Sequence, residues 1–167
     1  MDLRFTDDSA DNTIILLPDD TPAYFVETEH KFLVHSRTVI KKTHADTITE
    51  MGSVKLSSML DDGFVNVWGR NITPQSTGMF SASRTFVASD GKSYKWKVEM
   101  GSPLYLISTG NHHTVASYDR GSLGFFGKAR LPSLSVTPEG MPIGDDIIGT
   151  FVFMRLDEER RRRRRRR

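Results

Sequence analysis

The residue types that most often carry catalysis or metal binding are scattered through this sequence. His112 and His113 are adjacent, so on a strand they would point to opposite faces and could not ligate one ion together, and we expect them in a turn. The other three histidines show no metal-binding spacing, no serine lies in a nucleophile motif, and the chain has no cysteine. We therefore expect no catalytic residue, no metal site, no cofactor and no enzymatic activity.

A glycine-rich stretch begins at Gly121, with three glycines spaced three residues apart. Loops that cradle nucleotide phosphates need a strand before them and a helix after them. Here Pro132 and the alternating SLSV of a strand follow instead. We interpret the stretch as a tight bend that carries Phe125 and Phe126 into the core.

Basic residues near two turn regions offer binding chemistry. Their ammonium and guanidinium groups could contact a phosphate-bearing headgroup or a protein partner. A solvated sheet face is the simpler alternative, because exposed lysines also protect strand edges. The candidate anion-binding residues are Lys92, Lys95, Lys97, Lys128 and Arg130.

The chain ends in eight consecutive arginines, from Arg160 to Arg167. The sequence has 23 basic and 21 acidic side chains, so the rest of the chain has 15 basic against 21 acidic residues, a net charge of −6. The body is therefore acidic and the end basic. Like charges repel one another, which predicts a disordered tail that binds polyanions or RNA without sequence preference. The alternatives are a tail that folds back on the acidic body and a neutral low-complexity end.

The elements that position these residues are predicted to be strands over most of the chain. Short β-prone runs are separated by turn residues at roughly eight- to twelve-residue intervals, which is typical of an all-β sandwich or barrel. The predicted strands cover residues 12–17, 23–28, 37–42, 53–56, 64–68, 84–88, 93–98, 104–108, 114–118 and 133–136.

One predicted hairpin has a register that can be argued from its charges. A two-residue loop would pair Arg84 with Lys97, and like charges opposite each other are unfavourable. A three-residue loop with Gly91 in the left-handed conformation instead pairs Arg84 with Trp96, and the guanidinium group could lie over the indole ring. We prefer this second register. Its buried face would consist of Phe86, Tyr94, Trp96 and Val98.

The last apolar run, residues 144–156, is apolar on every side of a helical wheel. Such a helix must be buried on all sides, and at ~1.5 Å per residue it would be roughly 20 Å long, so a small barrel could contain it. Its Ile, Thr, Phe and Val also favour strands, so the residues alone leave helix and strand open. Asp145 and Asp146 would suit the N-terminal end of a helix. The expected core residues are Ile147, Ile148, Phe151, Val152 and Met154.

Four longer segments form a distinctive combination: FVETEHKFLVHSRTVIKK, MFSASRTFVASDGKSYKWKV, SLGFFGKARLPSLSVTPEG and DDIIGTFVFMRLDEERR. Through them the chain resembles a fungal family of uncharacterised domains, over about residues 12–160. That family is similar to the Tubby C-terminal, LURP-one and phospholipid scramblase group. The resemblance implies a mainly β fold, a closed antiparallel β-barrel of about twelve strands around a buried C-terminal helix, and it favours the helix over the strand for residues 144–156.

The resemblance implies no activity, because the family has none assigned. Tubby domains bind phosphoinositide headgroups and scramblases are lipid-associated, so the leading hypothesis is binding of phospholipid headgroups or of a protein partner. The alternative is non-specific RNA or polyanion association through the arginines, and an enzyme is third. The absence of cysteine and of a longer spanning helix argues against lipid translocation.

The expected organisation is a single domain over residues 1–159 followed by a disordered tail over residues 160–167. The first twelve residues, MDLRFTDDSADN, are acidic and do not resemble a secretory signal. No apolar run reaches the roughly 18 residues of a membrane span. We therefore expect a cytoplasmic protein, with peripheral membrane association as an option.

Overall fold

A computed structural model describes residues 1–31, 34–58, 63–79, 81–100, 102–122 and 129–166. The described residues form thirteen β-strands, a short 3-10 helix (Met141–Ile143) and one long α-helix, α1 (Gly144–Arg165). The strands are β1 (Asp2–Phe5), β2 (Asn12–Leu16), β3 (Pro22–Lys31), β4 (Val34–His44), β5 (Thr47–Lys55), β6 (Phe64–Val67), β7 (Arg70–Asn71), β8 (Gln75–Ser76), β9 (Arg84–Val87), β10 (Ser93–Lys97), β11 (Tyr105–Ser108), β12 (Thr114–Asp119) and β13 (Ser133–Val136).

All ten predicted strands are present, and β1, β7 and β8 were not predicted. The strands β7 and β8 have two residues each, too few to show an alternating pattern. In β1 the pattern is present, since Leu3 and Phe5 are buried. This alternation was overlooked because the first twelve residues were considered only as an acidic segment.

The strands form one antiparallel sheet in the order β7-β6-β5-β4-β3-β2-β1-β13-β12-β11-β10-β9-β8. Its edge strands β7 and β8 are joined by residues 72–74, so these two edges lie within about 15 Å of each other. No ladder joins β7 to β8 among the described residues. The mainly β fold with a C-terminal helix is confirmed, and the sheet has thirteen strands where about twelve were expected. Its closure into a barrel stays a prediction.

The helix α1 is enclosed by this sheet. Every residue from Asp146 to Arg155 is buried, which is nearly three full turns at 3.6 residues per turn. The predicted core residues are among them or in the strands that face them. The buried set includes Phe86, Tyr94, Trp96, Ile147, Ile148, Phe151, Val152 and Met154.

Aromatic side chains from β1, β10 and β12 meet at the middle of the helix. The Phe151 ring lies 5.2 Å from that of Phe5 in β1, 4.9 Å from that of Tyr118 in β12 and 5.9 Å from that of Trp96 in β10. The Trp96 indole N–H donates a hydrogen bond of 2.9 Å to the Thr150 hydroxyl. Gly149, on the same part of the helix, lies against β6 near the other end of the sheet order. Because α1 contacts strands from both parts of the sheet and is buried on all sides, the sheet curves around it instead of packing flat against one of its faces.

The predicted hairpin register between β9 and β10 is confirmed: Arg84 pairs with Trp96, and Phe86 with Tyr94. Gly91 has a φ of +76°, as the three-residue loop requires. Two details were wrong. The Arg84 guanidinium group contacts Asp157 instead of lying over the indole ring. Val98 was predicted to be buried, but β10 ends at Lys97 and the Val98 side chain is 42% exposed.

The helix is longer than predicted. It was expected to end near Leu156, but it continues to Arg165. The prediction of a disordered tail is therefore wrong for the arginines up to that residue. Pairs four residues apart along the helix, such as Arg162 with Glu158 at 3.0 Å, stabilise the extension. The predicted bend that includes Phe125 and Phe126 lies outside the described residues.

Substitution of Gly149 tests whether α1 and β6 are in close contact at this position. A Cβ atom at this position would lie 2.5 Å from Cγ2 of Val67, a stiff and buried side chain. Gly149→Ala should lower the free energy of unfolding by about 1 to 2 kcal/mol, although alanine is the better helix former. In a Val67→Ala background the same change should be neutral or stabilising. Gly144→Ala, with open space around its Cβ, serves as the control, and equal effects at both glycines in urea unfolding would contradict the close approach.

Gly91 tests the hairpin. Gly91→Ala forces an alanine into the left-handed region and should lower the free energy of unfolding by about 1 to 2 kcal/mol. Gly110→Ala is the matched control, because a Cβ atom there also meets no atom closer than 3.9 Å and the backbone lacks a positive φ. A Gly91 variant as stable as the Gly110 variant in thermal unfolding would argue against the three-residue loop.

Candidate functional site

The last turns of α1 leave the sheet among the loops that precede β2, β6, β9 and β13. We call this basic segment, residues 160–166, the arginine end. It is half-buried at its start and exposed beyond. The Arg160 guanidinium group donates a hydrogen bond to the Ser57 carbonyl oxygen, and the preceding residue, Glu159, accepts one of 3.0 Å from the Ala10 backbone N–H. The helix is thus held by two loops just where it emerges.

A buried arginine anchors α1 one turn before this point. The Arg155 side chain is 3% exposed, and its guanidinium group lies 2.6 Å from Glu158 and 3.3 Å from Asp8. It also lies 5.0 Å from the centroid of the Tyr118 ring. A buried charge with these partners is satisfied, so Arg155 is a structural residue and not a ligand-binding one.

Asp157 collects three guanidinium groups at the base of the arginine end. Its side chain is 5% exposed and pairs with Arg160 at 2.9 Å, with Arg161, and with Arg84 at 3.5 Å. Burial raises the pKa of Asp157, but hydrogen bonds and charges from Arg161 and Arg160 outweigh burial and hold the pKa below its ordinary 3.8. The carboxylate is therefore ionised at neutral pH, and three cations share one anion.

A cleft of about 340 Å³ lies beside this cluster, between the loop joining β8 to β9 and the last turns of α1. We call it the arginine cleft. Its charged lining consists of Arg84, Asp157, Arg160, Arg161 and Arg164. Four guanidinium groups thus face one carboxylate, which leaves a local charge of +3. Ser76 and Ser81 add hydroxyl groups to the wall. This surplus charge makes the cleft suitable for an anion.

A larger cavity of about 880 Å³ adjoins the arginine cleft and shares Ala82 and Arg161 with it. Met154 supplies part of its apolar wall, and Glu158 supplies a carboxylate. That carboxylate is paired with Arg120, which also lines the cavity. The charges in this cavity largely neutralise one another, so the cavity indicates no ligand of a particular sign.

Two methionines project into solvent at the same end of the sheet. Met79 lines the arginine cleft and is 92% exposed. Met100 follows β10 beside Glu99, a residue of the larger cavity, and is fully exposed. Single exposed apolar side chains are common on protein surfaces, and these two lie beside a basic surface.

The five predicted anion-binding residues do not form one site. Lys92 lies at the β9–β10 turn, 4.0 Å from Asp90, whereas Lys97 lies at the other end of β10, 3.0 Å from Glu99. Arg130 lies beyond β11 and β12, where it pairs with Asp119 at 2.8 Å. Lys95 is half-buried on β10, and Lys128 lies outside the described residues. Binding by these residues stays a prediction.

The carboxylates expected at the start of α1 do lie in its first turn, where they have structural partners. Asp145 accepts hydrogen bonds of 2.8 Å from the Lys42 ammonium group, the Tyr24 hydroxyl and the Trp68 indole N–H. Burial raises the pKa of Asp145, but these three donors outweigh burial and lower it. The N-terminal end of the helix is therefore tied to β3, β4 and the β6–β7 turn, and it offers no ligand site.

Neither a metal site nor a membrane-spanning helix is present within the described part of the chain. No group of three histidine, aspartate or glutamate side chains comes together there as a metal site. His112 and His113 lie in the loop between β11 and β12, as their adjacency predicted. No helix in those ranges has the length and apolarity needed to cross a bilayer.

Sequence reasoning missed the arginine cleft. Arg84 was assigned to the hairpin, and Asp157 was given no role. One signal was available, since Asp157 and Glu158 stand four residues before Arg161 and Arg162, the spacing of helical ion pairs. The contact of Arg84 with the helix was not readable, because it depends on how the sheet curves.

The fold and the site together define a class: a mainly β domain whose C-terminal helix is enclosed by the sheet and emerges as a basic segment. The chain belongs to the family of unknown function DUF6593, whose model matches residues 8–164. No curated protein and no solved structure matches the chain. The match includes the arginine end as far as Arg164, and it carries no link to the Tubby-like or scramblase group.

Asp157→Asn tests the charge cluster. Near neutral pH the variant should lose about 1 to 3 kcal/mol of unfolding free energy, because three guanidinium groups lose their shared anion. The folded-state pKa of Asp157 is lowered, so its contribution is present above the ordinary 3.8 and is lost as the pH falls through the folded-state value. Urea unfolding at a series of pH values should show the two proteins converging in acid. Asp46→Asn, at an exposed turn, is the control, and a pH-independent difference would contradict the assignment.

Proposed function

We propose that this domain is a non-enzymatic binding module that attaches to anionic membranes through the arginine end. The observation that carries the proposal is the helical continuation of α1, which holds a row of exposed arginines next to Met79 and Met100. A helix rooted in the core presents these charges in a fixed direction. A flexible tail would not.

The distribution of charge favours one orientation on a membrane. The body before Arg160 has a net charge of −6, and the basic residues beyond it project from one end. An anionic surface would attract that end and repel the body. Each arginine near such a surface contributes about 1 kcal/mol, so several are enough for measurable binding.

The exposed methionines favour a lipid surface over RNA. Peripheral binding is stable when two signals act together, such as a basic patch and an inserted apolar group. Met79 and Met100 supply the apolar group. Binding of single-stranded RNA would instead use exposed aromatic rings for stacking. The exposed Trp68 could stack on a base, but it lies beside Asp145 at the N-terminal end of α1, at the opposite end of the helix from the arginine end.

We propose that the sheet closes around α1 as a barrel and that the domain is kin to the Tubby-like group. The enclosed helix and the three-residue link between the edge strands β7 and β8 support this. Attachment to the cytoplasmic face of a membrane is part of the same proposal, because anionic lipids are concentrated there.

Vesicle sedimentation tests the proposed function. The probes are phosphatidylcholine vesicles with and without phosphatidylserine. Replacing Arg162, Arg163 and Arg165 with Gln should weaken binding to the anionic vesicles about a hundredfold. Replacing three lysines with Gln removes the same charge from the sheet and should have a much smaller effect. These control positions are Lys41, Lys92 and Lys95.

Two further arms identify the surface that is bound. Met79→Ser with Met100→Ser should reduce the binding that persists at high salt, where charge is screened. The same pair should leave any binding to single-stranded RNA unchanged. Loss of vesicle binding in the lysine variant alone would move the site to the sheet. Binding to RNA but not to vesicles would overturn the membrane proposal.

A further inference from the structure

The arginine cleft has more cationic groups than its single carboxylate can neutralise. Asp157 accepts hydrogen bonds from Arg160 and Arg161. The nearest approach of the Arg84 guanidinium group to this carboxylate is a long 3.5 Å. Arg164 has no hydrogen-bond or ion-pair partner among the described residues. Two of the four guanidinium groups are therefore weakly bound or unbound.

Arg84 carries a second sign of an incomplete site. Its side chain is 20% exposed, and its Nε atom is buried without a hydrogen-bond partner among the described residues. A buried N–H group without a partner is unfavourable, because it has lost its hydrogen bonds to water. The position of Arg84 on β9 is fixed by pairing with Trp96, so the side chain starts from a fixed point beside the cleft.

We propose that the arginine cleft binds a phosphate monoester dianion. This inference deepens the proposed membrane function, since it names a headgroup chemistry for the same end of the protein. A monoester presents three terminal oxygens and carries close to two negative charges. Those oxygens match the planar donor forks of Arg84 and Arg164, with the Arg160 and Arg161 pair behind them.

A diester such as phosphatidylserine is a poorer match. Its phosphate has two terminal oxygens and one charge, so it leaves about +2 of the +3 surplus uncompensated, where a monoester dianion leaves about +1. A large or flat anion also fits less well, because the cleft has a volume of about 340 Å³. The hydroxyl groups of Ser76 and Ser81 can donate to any oxygen that the arginines do not reach.

The full-length protein and vesicles of matched surface charge provide the test. One set contains phosphatidate, a monoester lipid, and the other contains phosphatidylserine. The native protein should bind the phosphatidate set about tenfold more tightly, as expected for one or two additional charged hydrogen bonds. Glycerol 3-phosphate in solution should compete with phosphatidate more strongly than with phosphatidylserine, which measures recognition of the phosphate apart from the lipid.

Three single variants separate the cleft from general charge. Arg164→Gln and Arg165→Gln each remove one exposed charge, so both should weaken binding to phosphatidylserine equally. Only Arg164→Gln should abolish the preference for phosphatidate, because Arg165 does not line the cleft. Arg84→Gln should abolish it as well, and thermal unfolding will show whether that variant is folded.

The outcomes distinguish this inference from the proposed function. Equal binding of the native protein to the two charge-matched sets would overturn the monoester site and leave general membrane binding intact. A preference that survives in Arg164→Gln would also overturn it. Direct binding of glycerol 3-phosphate in calorimetry, without any vesicle binding, would support the cleft as a site for a soluble phosphate monoester and overturn the membrane source.

Discussion

The structure depends on enclosing a helix that has no solvent face over its middle turns. A typical surface helix buries one stripe and leaves its polar residues in water. Here burial runs without a break from Asp146 to Arg155, so each polar group in that stretch needs a protein partner. Asp146 accepts a hydrogen bond from Arg70 at 2.5 Å and one from the Ser89 backbone N–H at 2.6 Å.

The remaining buried polar residues obey the same constraint. Thr150 accepts a hydrogen bond from Trp96 and donates one of 2.8 Å to the Asp146 carbonyl oxygen. Arg155 is satisfied by Glu158 and by the loop before β2. These partners come from β7, β10 and loops that are far apart in the sheet order, and together they set the rotation of the helix and its depth in the sheet.

Much of this architecture was readable from the sequence because it follows from alternation. In β10 and β13 the buried positions alternate with less buried ones, and a charge argument was enough to set the β9–β10 register. Val98 broke the pattern because alternation stops where a strand stops. The arginine cleft was beyond such reasoning, since it brings together Arg84 and Asp157, which are 73 residues apart. That contact depends on the curvature of the sheet, which no local pattern encodes.

The composition of the arginine end indicates disorder, but the segment is helical because of the sequence just before it. A run of like charges alone would repel itself into disorder. Here the run continues a helix that is already formed in the core, so no new nucleation is needed. Three acidic residues stand four positions before three arginines, in the orientation that favours helical ion pairs. Cations near the C-terminal end also complement the helix dipole.

The arginines can form a binding site because they lie on a helix. In a disordered tail the arginines would sample many positions and bind polyanions by charge alone. In the helix, residues three and four apart lie on one side, so Arg160 and Arg164 line the same cleft, together with Arg161 on the adjoining face. Arg84 completes the cleft from the sheet. The acidic pairs that extend the helix therefore also set the spacing of the cations that a ligand would meet.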